Sequence, residues 1–224
     1  MSDAELGFMR RFKAGETSFA PGTIFLNEGE GSEFLYTVLS GQGLRYKLLP
    51  DGGRQVLNFV FPGDFLGLQA TVMGEMKHSV IASSQMRLCV FRRSEFLRLF
   101  HEIPQRGYDV TWVAAMEEHF LGEALATVGQ AGATRRVAWA LAKLFRRAEA
   151  VGMVSGDSCP LPYRQRDLAD AVGLSLVHTN KTLARLRSLG VARWDGGRLT
   201  IHDFDRMTAL ADLDTAAAAP RPLI

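Results

Sequence analysis

The chain has 224 residues, of which 47% are hydrophobic and 22% charged, enough for one or two domains with real cores. No apolar run approaches the roughly 20 residues of a membrane span, and Met1–Gly7 lacks a basic segment followed by an apolar one, so a cytoplasmic protein is expected. The net charge of +2 hides a segregation: residues 1–132 hold 12 basic and 15 acidic side chains, whereas 133–202 hold 12 basic and 5 acidic. Cys89 and Cys159 are too few for a disulfide framework.

The first hundred residues read as short strands parted by glycines. Thr23–Leu26, Phe34–Leu39, Gly43–Leu49, Arg54–Phe61, Ser79–Ala82 and Arg87–Phe91 are the expected strands, of a closed antiparallel roll. Ser94–Phe100 reads as a short helix leaving it. From about 105 to 128 the spacing predicts a long helix with two apolar aspects, one for its own chain and one for a second copy. Trp112, Val113, Met116, Phe120 and Ala124 are the expected dimer contacts.

Gly129–Gly132 reads as a hinge. Ala133–Ala148 is expected to be amphipathic, with Val137, Leu141 and Leu144 inward and Arg135, Arg136, Lys143, Arg146 and Arg147 outward. Gly152–Pro162 reads as a loop that leaves Cys159 open to solvent, while Cys89 reads as a buried strand residue.

Residues 165–187 carry the most specific signal. Leu168, Ala169 and Val172 face inward on a first helix, Gly173 supplies the turn, and Ser175 caps a second helix. Leu176, Thr179, Leu183 and Leu186 are its expected buried stripe; Val177, His178, Asn180, Lys181 and Arg185 face out, with no acid on the helix. Gly190–Ile201 turns at Asp195-Gly196-Gly197, a hairpin wing flanked by Arg193 and Arg198. A helix-turn-helix with a cationic outer face fits duplex DNA, so Ser175, Val177, His178, Asn180, Lys181, Arg185, Arg193 and Arg198 are the candidate DNA contacts. The tail Thr215–Pro222 is expected to fray.

A roll, a long helix and a winged helix-turn-helix in this order resemble the Crp/Fnr family of bacterial transcription regulators, from about Phe19 to Asp203. Phe61-Pro-Gly-Asp-Phe-Leu-Gly67 and Asp167-Leu-Ala-Asp-Ala-Val-Gly-Leu-Ser175 are the most family-like stretches. The resemblance implies an α+β chain divided into a roll (1–104), a dimerisation helix and hinge (105–130), a DNA-binding domain (131–212) and a tail (213–224). It implies a homodimer on a two-fold symmetric operator, an effector-sensing roll coupled to the DNA-binding domains and, in many members, recruitment of RNA polymerase.

Cyclic-nucleotide-binding members carry a cassette resembling Gly-Glu-x-Gly/Ala-Leu, then Arg-Ser/Thr-Ala. Here Gly67, Leu68 and Gln69, then Lys77, His78 and Ser79, stand in the corresponding places as the candidate effector pocket. Leu68 replaces the acid that would bond the ribose, so cyclic AMP is not expected. Two cysteines do not supply a four-thiolate iron–sulfur cluster, and His78, His101, His119, His178 and His202 leave haem ligation open. The effector is therefore unassigned. Many members also show Glu-x-x-Ser-Arg on the recognition helix, where this chain has Val177, Asn180 and Lys181, so a different operator is expected. A sensor module that signals through protein contacts is the alternative. An enzyme on a cupin-like barrel would need clustered ligands, and His78 is the one histidine among the predicted strands.

Overall fold

A computed structural model describes residues 3–213; the tail expected to fray lies outside the described residues. In chain order the elements are α1 (Asp3–Phe12), β1 (Lys13–Phe19), β2 (Ile24–Leu26), β3 (Phe34–Ser40), β4 (Gly43–Leu48), β5 (Arg54–Val60), β6 (Phe65–Leu66), α2 (Leu68–Met73), β7 (Ser79–Ala82), β8 (Met86–Arg92), α3 (Phe96–Glu102), α4 (Pro104–Gln130), α5 (Ala133–Ala150), β9 (Ser158–Pro160), α6 (Gln165–Val172), α7 (Leu176–Ser188), β10 (Ala192–Asp195), β11 (Arg198–Ile201) and α8 (Phe204–Ala211). They gather into two compact units, 3–47 with 60–119 and 48–59 with 120–213.

In the first unit β1, β8, β3 and β6 lie side by side in that order, and β7 lies between β2 and β4. The period of two explains the core. Tyr36 and Val38 on β3, with Met86 and Leu88 on β8, point into the roll beside Leu26, Val80 and Ala82. Their neighbours Leu35, Cys89 and Phe91 point the other way and bury Phe8 and Phe12 of α1, Phe96 and Leu99 of α3 and Val110 of α4. β1 escapes the apolar pattern because it is a polar strand, its residues exposed or half-buried in alternation. Gly41 takes positive φ (88°), and a Cβ there would stand 2.2 Å from the Gln85 carbonyl oxygen, so the turn admits glycine alone.

In the second unit Val137, Leu141 and Leu144 of α5 are buried as the periodicity predicts. The wing has three strands, in the order β10-β11-β9, because the segment read as a loop pairs Cys159 with Leu199. Cys159 is therefore fully buried, contrary to the expectation of an exposed thiol, and burial pushes its pKa up to about 11. A thiol so placed is almost wholly protonated at neutral pH. Iodoacetamide at pH 7.5 is expected to leave Cys159 unmodified in the native protein and to label it in urea, read by peptide mass spectrometry; rapid native labelling would contradict its burial.

Candidate nucleic-acid interface

Gly173 ends α6 in the left-handed region (φ 63°), which turns the chain, and Leu174 follows it. Ser175 then caps α7, its Oγ accepting from the His178 amide at 3.2 Å. α7 is held by Thr179, Thr182 and Leu186, all buried. The expected stripe is corrected at two places: Leu176 is exposed, Leu183 is only half-buried, and Thr182 takes the inward position. Thr182 is buried at small cost because its Oγ donates to the His178 carbonyl one turn back, 2.9 Å away.

The outward face agrees with expectation. Val177, His178, Asn180, Lys181 and Arg185 are all exposed, as is Ser175, and no acid lies on α7. Arg193 and Arg198 flank the wing turn in solvent. Arg193 is already engaged, its Nε donating to Asp195 Oδ2 at 2.6 Å.

Much of the basic excess around the helix-turn-helix is spent internally. Arg135 pairs with Asp212 (2.7 Å), Lys143 with Glu123 (2.8 Å) and Arg146 with Glu149 (3.2 Å). Arg136 donates to the Ala131 carbonyl at 2.7 Å and Arg147 to the Phe59 carbonyl at 2.8 Å. On α5, Arg136, Lys143 and Arg147 are half-buried and engaged within the chain, while Arg135 and Arg146 face solvent as expected, each beside a carboxylate. The cations of α7, with Arg198 on the wing, stand exposed for a ligand.

They share an open depression with the start of α5. Its walls are Gly132, Ala133, Thr134 and Arg135 on one side and His178, Lys181, Thr182 and Arg185 on the other, with Leu210 between. Gly132 caps α5 without a side chain, so the first-turn amides of this 18-residue helix have no side-chain acceptor. Free amides, the positive end of a helix dipole and the Lys181 and Arg185 side chains together suit a phosphate-sized anion. Sequence reasoning missed Gly132–Thr134 because they carry no charge.

In the roll, Gly67 opens α2 with φ 91°, and Leu68 packs on the aromatic cluster behind it. Gln69 Oε1 accepts from the Lys77 amide (3.0 Å), but the Lys77 ammonium turns to Glu75 in solvent. Ser79 Oγ accepts from the Glu28 amide (3.0 Å). His78 is buried. Sequence reasoning also missed Arg45 of β4, which reaches Glu117 (3.1 Å) and the Phe65 carbonyl (3.2 Å). These residues do not fit a cyclic nucleotide: Leu68 offers no acceptor to a ribose, none of them is an arginine, and the Arg45 guanidinium already holds a carboxylate.

Burial first, and the Arg45 charge second, lower the His78 pKa from an ordinary value near 6.5 to about 4. Between these values the unfolded chain binds a proton that the folded chain refuses, so stability falls as pH drops from about 6.5 towards 4. The loss is of order 2–3 kcal/mol. Urea unfolding across this range is expected to show it, and His78→Gln to flatten it; an equally steep decline in the variant would place the effect elsewhere.

Along α4, Trp112, Val113, Phe120 and Ala124 are half-buried by their own chain, and of the five expected dimer contacts Met116 alone is exposed. Phe120 stacks on Trp139 with centroids 5.8 Å apart. Thr111, Ala115, Glu118, Gly122, Leu125 and Gly129, in steps of four and three, form an open face of the helix.

Residues 16–102 match the model of the cyclic nucleotide-binding domain, and 135–210 match the Crp-like helix-turn-helix domain. The nitrogen fixation regulation protein FixK of Bradyrhizobium diazoefficiens is 32% identical over 206 residues, covering 92% of this chain and 83% of that protein. The chain belongs to the Crp/Fnr family of transcription regulators. The transcriptional activatory protein AadR of Rhodopseudomonas palustris is 30% identical over 200 residues, 88% of this chain and 82% of its own. The structure of FixK2 from Bradyrhizobium japonicum superposes with a TM-score of 0.79 at 27% identity, covering 91% of this Crp/Fnr chain and 98% of FixK2. The α+β architecture of the Crp/Fnr family is thereby that of this chain, and the family is one of regulators rather than enzymes. Among its described residues no helix is long and apolar enough to cross a membrane.

Proposed function

We propose that this Crp/Fnr regulator binds a two-fold symmetric operator as a homodimer, laying one α7 into each of two successive major-groove faces, and activates transcription by recruiting RNA polymerase. The observation that carries the reading is the outward face of α7: Asn180, Lys181 and Arg185 stand clear of the protein, without a carboxylate on the helix. Asn180 suits the edge of adenine, Lys181 suits guanine or phosphate, and Val177 and Ser175 sit at the end of α7 that enters a groove first. Arg185, His178 and the start of α5 receive the backbone, and Arg198 on the wing reaches a further phosphate, with Arg193 a weaker contributor.

The two copies meet along the open face of α4. Its steps of four and three place Ala115, Gly122 and Gly129 at every seventh position, which lets two helices approach closely around Leu125. Activation is supported by the name of AadR, a transcriptional activatory protein, and of FixK, a regulation protein. The roll is read as the effector-sensing domain, coupled to DNA binding by an effector other than a cyclic nucleotide.

The test is selection from random duplex DNA by the purified protein, with and without cyclic AMP. An enriched two-fold symmetric site, unchanged by cyclic AMP, is expected. Enrichment of no sequence would overturn the reading in favour of a sensor that signals through protein contacts.

A further inference from the structure

The first helix of the helix-turn-helix carries two carboxylates one turn apart, Asp167 and Asp170, with side chains only 9% and 10% exposed. In helix-turn-helix docking this helix crosses the phosphate backbone, where fixed negative charge opposes binding. Both acids are answered by one residue from 113 positions earlier in the chain. The Arg54 guanidinium bonds Asp167 Oδ1 and reaches Asp170 Oδ2 through Nε (3.0 Å) and Nη2 (2.9 Å). The remaining oxygens are taken locally, Asp167 Oδ2 by the Arg164 amide (2.8 Å) and Asp170 Oδ1 by Arg166 Nε (2.9 Å).

The neighbours of Arg54 are seated in the same unit. Gln55 Nε2 donates to the Ala171 carbonyl (3.3 Å), Arg147 Nη1 donates to Asn58 Oδ1 (3.2 Å), and the Phe59 ring meets Tyr163 edge-on at 4.7 Å. Residues 48–59 are therefore part of the unit that holds the helix-turn-helix, although roll strands precede and follow them in the sequence. A guanidinium is suited to the task, since its planar fork serves two carboxylates at once where an ammonium is a point charge.

We propose that Arg54 is a positioning residue for DNA binding, neutralising with Arg166 the two carboxylates of α6 so that this helix can lie against phosphate. The inference rests on the DNA-binding reading above. It makes Arg54 a determinant of operator affinity that touches no DNA itself.

The test uses the full chain and the selected operator, with affinity measured by fluorescence anisotropy at two salt concentrations. Arg54→Met is expected to weaken binding about tenfold or more at low salt. The deficit shrinks at high salt, because repulsion between separated charges is screened beyond about 10 Å at 0.1 M and over shorter distances above it. Arg54→Lys, which keeps the charge and loses the fork, falls between. Arg54→Met with Asp167→Asn and Asp170→Asn returns to within about threefold of the parent, since the charges to be cancelled are gone. Unchanged affinity in Arg54→Met overturns the proposal. So does a deficit that is equal at both salts and persists in the triple variant, which would make Arg54 a purely structural tie. Lys181→Ala in parallel separates the two readings. A parent that binds no duplex defeats DNA binding itself, whereas a parent weakened by Lys181→Ala and not by Arg54→Met defeats the role of Arg54 alone.

Discussion

An arginine in place of Leu125 is expected to lower operator affinity by a factor on the order of 100 to 10,000, the advantage that joining two binding modules confers. Leu125 is 75% exposed and lies within the last two turns of α4, so the isolated chain has little to lose by the change. Two copies of the new cation would be brought together at the proposed seam, and the helices would part. Light scattering should report a monomer whose circular dichroism and melting temperature match the parent. Binding to a single half-site should survive at its intrinsic strength, because α7 is untouched. A Leu125→Arg protein that remains dimeric, or a monomer that holds the full operator as tightly as the parent, would remove α4 as the pairing element.

Lys181→Ala is expected to cost about 1–3 kcal/mol of operator binding, a five- to hundredfold loss. Lys181 lines the depression shared by α7 and the start of α5, so in the proposed docking it meets a base edge or a phosphate. The logarithmic salt slope should fall by about one if the contact is to phosphate and stay nearly constant if it is to guanine. Arg193→Ala serves as the internal contrast. Its charge is already met by Asp195, so its removal should change affinity far less. A Lys181→Ala protein that binds as the parent does, or a larger loss from Arg193→Ala, would move the docking face from α7 to the wing.

What was legible in the chain is what local chemistry encodes. The Gly173 turn, the Ser175 cap and an acid-free α7 are one-residue or one-turn signals, and all three stand where expected. The misreadings have an equally local cause. A stripe judged by residue type prefers leucine, so Leu176 displaced Thr182, although a threonine that bonds its own helix is readily buried. Of the candidate effector residues, Lys77 turns outward to Glu75 and His78 is buried, two facts that depend on packing and not on residue type.

Periodicity, caps, turn residues and the distribution of charge were sufficient, without coordinates, to specify a roll, a lever helix and a winged helix-turn-helix, because each of these is a property of neighbours along the chain. Which cations remain free was settled only by the fold. Arg54 reaches Asp167 and Asp170, Arg45 reaches Glu117, and the uncharged start of α5 comes to lie beside Lys181, each through pairings of residues far apart in sequence. A charge count treats every arginine alike. The packed chain divides them into those that satisfy its own buried acids and carbonyls, whose desolvation must be compensated, and those left facing water for a partner to neutralise.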